Sequence, residues 1–234
     1  MGHIHLNVND VDAATRFWQA VGATPSRLGD AAVMKLPGVL IELRKQTPIG
    51  PSMGTVVDHL GFQVPDIQAA VARWKAAGIK VVPGSRPEQV YLFSADELRL
   101  EILENRNQTI PVATHHVHIM VAEAQASDMH SWYVRLFGAQ PGVRGANQTA
   151  DVPGYSFSFG KAPAPTLPTK GRAIDHIGFE VKNLKVFCER LEAMGVKLDT
   201  PYRPSRHPGL FIAELTDPWG TSIELTEGLA SLVP

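Results

Sequence analysis

The stretch HHVHIMVAE, residues 115–123, decides the fold because three other segments of the chain repeat its pattern. In each of them a histidine stands at the head of a run in which apolar residues alternate. The four segments are GHIHLNVND (2–10), VDHLGFQVPD (57–66), HHVHIMVAE (115–123) and IDHIGFEVKN (174–183). The aligned histidines are His3, His59, His116 and His176, and successive ones are 56, 57 and 60 residues apart. Such regular spacing indicates four structural repeats.

Each repeat continues in the same way after its histidine strand. A run with apolar residues at helical spacing comes first, and three short strands follow it. The helical runs all end at a glycine, as is typical of a left-handed C-cap: Gly22, Gly78, Gly138 and Gly195. The last strands align at one position that holds Glu42, Glu101, Ser158 and Glu224. The pattern predicts an α+β fold of four β-α-β-β-β modules that form two cupped mixed sheets.

The segments between the modules suggest a division into two domains. A polar connection, NRNQTIPVAT (105–114), separates the first two modules from the last two. Segments with two or more prolines, 45–54 and 161–171, join the modules within each half. We therefore expect an N-terminal domain of residues 1–108 and a C-terminal domain of residues 109–234, each built from two consecutive modules.

The composition narrows the classes of partner. The 234 residues carry a formal net charge of −1, which offers no electrostatic footprint for nucleic acid or for an anionic membrane. No apolar run has the length of a membrane span. The single cysteine, Cys188, allows no intramolecular disulfide, so a cytoplasmic setting is the default, although the sequence leaves a removed N-terminal leader open. We expect a monomer or a homodimer.

Alternation along the strands places the histidines and glutamates together. In HVHIMV (116–121) the residues Val117, Ile119 and Val121 share one face, which a helix would cover, while His116 and His118 lie on the other. The same parity holds in every module. Two histidines and one carboxylate that converge on such a face would form the facial triad of a divalent metal. Fe(II), Mn, Ni and Zn all accept these ligands, and we favour Fe(II).

Two of the strand heads, DHLGFQV (58–64) and DHIGFEV (175–181), and the ending DPWGTSIEL (217–225) carry a family resemblance. With the repeated module they resemble the vicinal oxygen chelate superfamily. That superfamily includes glyoxalase I, bleomycin resistance proteins and extradiol dioxygenases. The resemblance implies a small-molecule substrate that chelates a metal through two neighbouring oxygens. In the C-terminal half it implies the ligands His116, His176 and Glu224, with Ser158 in the fourth position.

The segment RPSRHPGLFIAELTDPWG (203–220) extends the resemblance toward extradiol dioxygenases. His207 matches the histidine that those enzymes use to protonate oxygen-derived species. Two other matched positions depart from their pattern, since Tyr155 stands for a catalytic histidine and Glu214 for a tyrosine. Our first expectation is oxidation of a catechol-type substrate, with His207 as the acid-base group and with Tyr155 or His118 assisting.

The N-terminal half offers a second candidate metal site with a different implied chemistry. Its four aligned residues are two histidines and two glutamates: His3, Glu42, His59 and Glu101. This set resembles glyoxalase I, where the metal polarises a carbonyl and a glutamate moves a proton. A glyoxalase-like lyase or isomerase, with Glu214 or Glu224 handling the proton, is the alternative function. A metal-free protein that binds a small molecule, as bleomycin resistance proteins do, is a third.

Several of these residues could serve the structure alone and take no part in metal or substrate binding. A strand histidine is often a hydrogen-bonded residue and not a ligand. We expect His118 to line the pocket, leave the role of His5 open, and expect His115 to lie at the surface. Arg206 would bind an anionic substrate group only if its side chain turned inward.

Overall fold

Each repeat forms a β-α-β-β-β module in the computed structural model, which describes residues 2–233. The first module has β1 (His3–Val8), α1 (Val11–Val21), β2 (Thr24–Leu28), β3 (Ala31–Leu36) and β4 (Val39–Lys45). The second has β5 (Val57–Val64), α2 (Ile67–Ala76), β6 (Lys80–Pro83), β7 (Gln89–Phe93) and β8 (Arg99–Glu104). The predicted module architecture is therefore confirmed in the first half.

The second half repeats the arrangement. The third module has β9 (Ala113–Val121), a 3-10 turn (Glu123–Gln125), α3 (Ala126–Phe137), β10 (Gln140–Arg144), β11 (Asn147–Val152) and β12 (Tyr155–Lys161). The fourth has β13 (Ile174–Glu180), α4 (Leu184–Ala193), β14 (Thr200–Pro204), β15 (Phe211–Thr216), β16 (Ser222–Glu227) and a terminal α5 (Leu229–Leu232). The fold class predicted from the repeat is confirmed.

Short polar signals set the helix ends. The Asp10 side chain accepts hydrogen bonds from the backbone N–H groups of Asp12 and Ala13 and so caps α1. Asp66 caps α2 in the same way through Ala69. At the other end of α3, Gly138 has a φ of 65°, the left-handed conformation that the sequence pattern predicts.

The sixteen strands form two eight-stranded mixed sheets. The first sheet has the order β14-β15-β16-β13-β1-β4-β3-β2, and the second has the order β10-β11-β12-β9-β5-β8-β7-β6. In each sheet the first strands of two modules meet antiparallel at the centre, β1 with β13 and β5 with β9. Within every module the first strand pairs in parallel with the last.

This order combines the modules differently from the expectation of domains at 1–108 and 109–234. The first sheet joins the first and fourth modules, and the second sheet joins the second and third. A boundary at residue 108 would fall between β8 and β9, which both belong to the second sheet. The repeat shows which segments are equivalent, but it does not show which strand edges meet, and chain neighbours need not share a sheet.

The helices account for the contact between chain neighbours. Helix α1 meets α2 through Trp74, whose indole N–H donates to the Ala20 carbonyl at 2.9 Å. In the second half, Phe137 at the end of α3 stacks on Phe179 of β13 with ring centroids 4.3 Å apart. Buried residues of all four modules belong to one apolar core. The first module thus meets the second, and the third meets the fourth, across the helix-covered face, whereas the opposite faces are shared by the first and fourth modules and by the second and third.

No helix within residues 2–233 has the length and apolar character required to cross a membrane.

Candidate metal centres

The first sheet brings three ligand-type side chains together on the face away from the helices. We call His3, His176 and Glu224 the first cluster. The His3 Nε2 atom lies 2.9 Å from Glu224 Oε2, and the His176 Nε2 atom lies 3.4 Å from the same oxygen. The two Nε2 atoms are 3.3 Å apart. Three donor atoms from β1, β13 and β16 therefore converge on one point.

Asp175 fixes the orientation of His176. Its Oδ1 atom lies 2.7 Å from His176 Nδ1, while its Oδ2 atom accepts from Asn7 Nδ2 and from the Gly171 backbone N–H. An Nδ1–H that donates to this carboxylate leaves the Nε2 lone pair directed at Glu224. Carboxylate–histidine pairs of this kind are usual behind metal-bound imidazoles.

The electrostatics of the first cluster favour a positive charge between its donor atoms. Burial alone would lower the pKa of His176, but hydrogen bonds to Asp175 and Glu224 raise that pKa to about 9. Burial likewise opposes ionisation of Glu224, yet its hydrogen bonds with His176 and His3 hold the Glu224 pKa far below its usual range. Without a metal ion, a proton on the imidazole supplies the positive charge. A divalent ion would replace that proton.

Gly178 makes room for His3 on the neighbouring strand. An added Cβ at Gly178 would stand 2.3 Å from the Cε1 and Nδ1 atoms of the His3 ring. The glycine two residues after His176 therefore provides the surface on which the histidine of the partner module lies. A larger residue at this position would displace the ligand.

The first cluster opens into a cavity of about 190 Å³. Four side chains of predicted functional type line it together with the cluster: His5, Glu42, His207 and Glu214. Glu42 projects from β4, directly opposite His5 in the strand register. Glu214 of β15 lies opposite Glu224, and its Oε2 atom accepts a hydrogen bond of 3.0 Å from Thr200 Oγ1. The cavity thus contains two histidines and two glutamates at the repeat positions, and a third carboxylate.

His5 packs against the cluster as a neutral imidazole. Its ring centroid lies 4.5 Å from that of His176. Burial, followed by the nearby His176 and His3, lowers the pKa of His5 to about 3. Its buried Nε2 atom has no hydrogen-bond partner among residues 2–233. A neutral ring with an unpartnered nitrogen is suited to metal binding, and one His5 nitrogen lies within 4.8 Å of ligand nitrogens of His3 and His176.

The second sheet carries an equivalent second cluster, which we define as His59, His116 and Glu101. Glu101 Oε2 lies 3.3 Å from His59 Nε2 and 3.1 Å from His116 Nε2. The two imidazole rings are 5.5 Å apart at 82°, compared with 5.4 Å and 87° for His3 and His176. The two sheets have therefore built nearly the same constellation.

The second cluster has the same kinds of neighbouring residue as the first: an aspartate behind one histidine and a glycine beneath the other. Asp58 Oδ1 stands 2.7 Å from His59 Nδ1, as Asp175 does behind His176. A Cβ at Gly61 would lie 2.1 Å from the His116 ring. Hydrogen bonds with His116 and His59 outweigh burial and hold the Glu101 pKa far below its usual range.

The two clusters differ in access and in their fourth position. The side chains of His176 and Glu224 are 15% and 17% exposed, whereas those of His116 and Glu101 are 5% and 10% exposed. The position of Glu42 is taken in the second sheet by Ser158, whose hydroxyl is 3.3 Å from Asn147 Nδ2. Substrate access therefore favours the first cluster.

These positions regroup both predicted ligand sets. His116, His176 and Glu224 do not meet, because His116 lies in the second cluster and the other two lie in the first. The set of His3, Glu42, His59 and Glu101 is divided in the same way. The residue types and their face were predicted, but the partners were not, since each set was drawn from consecutive modules.

The predicted catalytic residues are also dispersed. His207 and Glu214 line the cavity of the first cluster, while His118 packs on His59 in the second with ring centroids 4.6 Å apart. Burial, followed by His59 and His116, lowers the pKa of His118 to about 3. Tyr155 belongs to the apolar core on the helix-covered face and reaches neither cluster, so its assignment as an assisting catalytic residue is corrected.

Three residues outside the predicted sites take part in the clusters. Asp58 and Asp175 orient ligands, and their signal was present as the aspartate before each histidine in VDH and IDH. His115, expected at the surface, is partly buried and its Nδ1 atom lies 2.8 Å from His116 Nδ1. Burial, followed by His116, lowers the pKa of His115 to about 4.

Both clusters fit a divalent metal ion. Donor atoms that share an octahedral ion at about 2.1 Å stand about 3 Å apart. The separations of 2.9, 3.3 and 3.4 Å in the first cluster are close to that value. Imidazole and carboxylate are ligands that Fe(II), Mn, Ni and Zn accept, so the geometry supports a metal without selecting one.

Comparison with protein families identifies the fold family. Models described as the glyoxalase/bleomycin resistance protein/dioxygenase superfamily match residues 2–94 and 86–225. The chain belongs to this superfamily. The vicinal oxygen chelate resemblance read from its strands is thereby confirmed, and the superfamily includes enzymes of both expected reaction classes. None of the curated proteins searched matches the chain.

Solved structures show the same fold at low sequence identity. Glyoxalase I from Zea mays is 16% identical with a TM-score of 0.73, and a V278E mutant of it is 17% identical with a TM-score of 0.74. Both alignments cover 98% of the present chain and 94% of the maize chain. A Bacillus subtilis protein named as a candidate dioxygenase is 14% identical with a TM-score of 0.67, over 97% and 84% of the two chains. At these identities the likeness extends to the fold alone.

Proposed function

We propose that the protein is a metal-dependent isomerase or lyase that moves a proton on a carbon next to a carbonyl. The observation that carries the proposal is the composition of one cavity. His3, His176, Glu42 and Glu224 line it at the four repeat positions, and Glu214 adds a carboxylate beside them. Two histidines and two glutamates are the combination of residue types that resembles glyoxalase I and implies its chemistry. They come from the first and fourth modules.

The residues divide between holding the metal and moving the proton. A divalent ion at the first cluster would polarise the carbonyl of a substrate that chelates it through two neighbouring oxygens. His3, His176 and Glu224 hold the site, and Asp175 keeps the His176 Nε2 lone pair directed into it. Glu42, which pairs with His5 in the strand register and lines the cavity, is the proposed fourth ligand.

Glu214 is the proposed proton carrier. It lies across from Glu224 on the adjacent strand and forms no ion pair within residues 2–233. Its hydrogen bond from Thr200 leaves the other carboxylate oxygen available to a substrate. A carboxylate that is neither paired nor a ligand can accept and return a proton within one cavity.

Extradiol oxidation is the second candidate. His207 lines the same cavity as the first cluster, which is the observation in its favour. If Glu42 stayed off the metal, two histidines and one carboxylate would remain as the facial triad of a non-haem iron site. Against it, Tyr155 lies in the core and Glu214 replaces the expected tyrosine. Oxidation therefore stands behind proton transfer.

The test measures proton transfer and oxygen consumption on one preparation. The protein would be purified without chelator and reconstituted separately with Ni(II), Zn(II), Mn(II) and Fe(II). Hemithioacetals of methylglyoxal would be assayed in deuterated water, and a catechol panel would be assayed with an oxygen electrode. We expect deuterium incorporation and turnover with at least one metal, both lost in Glu214→Gln, and no oxygen uptake. Oxygen uptake with Fe(II) and no isomerisation would replace the proposal with the second candidate.

Metal content separates both enzymatic candidates from a metal-free binding protein. Because both clusters fit an ion, we propose two ions per chain, with the chemistry at the more open first cluster. Elemental analysis of the purified protein gives the number directly. A chain that takes up no metal under any reconstitution would favour the binding-protein class.

A further inference from the structure

The cavity of the first cluster continues into a larger one. The second cavity has a volume of about 630 Å³, and the two share four lining residues: His5, Glu42, Arg44 and Arg206. A substrate that has its reacting end at the first cluster and extends into the larger cavity would therefore lie beside Arg44 and Arg206. Both exposed side chains line the two cavities, which is the placement that would let Arg206 bind an anion.

The larger cavity is rich in basic side chains that lack acidic partners. Arg27 and Lys45 line it in addition to Arg44 and Arg206. None of the four forms an ion pair within residues 2–233, although three acidic residues line the same cavity. Unpaired guanidinium groups at the entrance to a reaction site are suited to bidentate binding of a carboxylate or phosphate.

Local structure positions both arginines. Arg44 follows Glu42 by two residues on β4, so both side chains leave the same face of the sheet. Arg206 donates from Nε to His207 Nε2 at 3.2 Å, which directs its remaining N–H groups away from that ring. One arginine thus comes from the first module and the other from the fourth.

The second cluster lacks this arrangement. Gly160 occupies the position of Arg44 on β12, and a Cβ there would lie 2.4 Å from His118 Nε2. No side chain fits at that position while His118 keeps its place. The second cluster has arginines nearby, with Arg99 beside His59 and Arg144 beside Ser156, but it has none at the position of Arg44.

We propose that the substrate carries an anionic group, a carboxylate or a phosphate, that Arg44 and Arg206 bind at the junction of the two cavities. This inference rests on the proposed function, because the anionic group belongs to the same substrate molecule whose other end reacts at the first cluster. The class of substrate is then an acidic compound with a hydroxyl or carbonyl pair at the other end.

The test is direct binding of simple anions, which requires no turnover. Sulfate and succinate would be titrated by calorimetry at low ionic strength into the metal-loaded protein, as probes of phosphate-like and carboxylate groups. The Arg44→Gln/Arg206→Gln double variant removes the charges, and Arg203→Gln, an exposed arginine of β14 outside both cavities, is the matched control. We expect about tenfold or greater weakening in the double variant and no change in the control.

The outcomes keep the anion site apart from the metal chemistry. His176→Ala, which would lose the metal, is expected to keep its sulfate affinity within about threefold if the arginines bind the anion. Loss of sulfate binding in that variant, or equal binding by wild type and the double variant, would overturn the proposal. The probe that binds more tightly indicates the anionic group: sulfate indicates a phosphate and succinate a carboxylate. Failure of the isomerisation assay would leave these results unaffected.

Discussion

His3 and His176 are 173 residues apart in the sequence, yet their Nε2 atoms lie 3.3 Å apart. His116, at the equivalent repeat position, belongs to the other cluster. We therefore predict that single His3→Ala and His176→Ala variants each lose one metal ion per chain, and that their double variant still loses only one. The His116→Ala/His176→Ala double variant should lose two.

Elemental analysis after gel filtration counts the ions. His130→Gln serves as the control, because His130 is a buried histidine that contacts the Thr149 carbonyl away from both clusters. If the His116 and His176 variants emptied the same site, the assignment of modules to sheets would be incorrect.

This pairing marks the limit of what the sequence could predict. The repeat predicts the module. Strand alternation predicts that the side chains of His3, His59, His116 and His176 project from the sheet face that the helices do not cover. Alternation does not show which strand edges meet. That depends on the antiparallel contacts of β1 with β13 and of β5 with β9, which join the first module to the fourth and the second to the third.

The misplacement of Tyr155 has a different physical reason. On a strand, a shift of one residue moves a side chain to the opposite face. Tyr155 has the parity of Phe157 and Phe159, which face the core, whereas Ser158 has the parity of the ligand positions. The loop that carries His207 could be placed only with the structure, since loop paths leave no periodic pattern in the sequence.

Gly178 and Gly61 provide a test of ligand packing without removal of a ligand. An added methyl group would stand 2.3 Å from the His3 ring at Gly178 and 2.1 Å from the His116 ring at Gly61. We expect Gly178→Ala to weaken metal binding at the first cluster by about tenfold or more and to leave the second cluster filled. Gly61→Ala should do the reverse.

Competition with a chromophoric chelator measures both affinities. Gly142→Ala on the edge strand β10 is the control, because its added Cβ would meet only the Thr149 hydroxyl, at 2.8 Å. Unchanged metal affinity in both cluster variants would show that the histidine rings need not lie over these glycines.

Tyr155 should contribute to stability and not to catalysis. Its hydroxyl is buried without a hydrogen-bond partner among residues 2–233, and burial raises the pKa of its phenol. Tyr155→Phe removes an unsatisfied polar group, so we expect the free energy of unfolding to rise by about 1 kcal/mol while turnover and metal content stay unchanged.

Tyr133→Phe is the matched control for that experiment. The Tyr133 hydroxyl donates to Asp217 Oδ2 at 2.9 Å, so its loss should lower the free energy of unfolding by about 1–2 kcal/mol. Urea denaturation compares the two variants. A loss of turnover in Tyr155→Phe with unchanged stability would restore a catalytic role for that residue.

Asp217 provides a pH-dependent contribution to stability away from both clusters. It is 3% exposed, and it accepts hydrogen bonds from Tyr133 Oη and from the backbone N–H groups of Trp219 and Thr221. Burial outweighs these hydrogen bonds and raises the pKa of Asp217 above its ordinary value of 3.8. The folded state therefore holds this proton more tightly than the unfolded state does.

The sign of the effect follows from that difference in proton affinity. The stabilisation is complete below the unfolded pKa and is lost as the pH rises through the higher folded pKa. Asp217→Asn cannot ionise, so the free energy of unfolding of the wild type minus that of the variant should fall as the pH rises from about 4 and then level off. Urea denaturation across this range measures the difference, with Asp128→Asn, an exposed aspartate of α3, as the control for a lost surface charge. A difference that stays constant or grows with pH would mean that the hydrogen bonds from Tyr133, Trp219 and Thr221 outweigh burial and stabilise the ionised form.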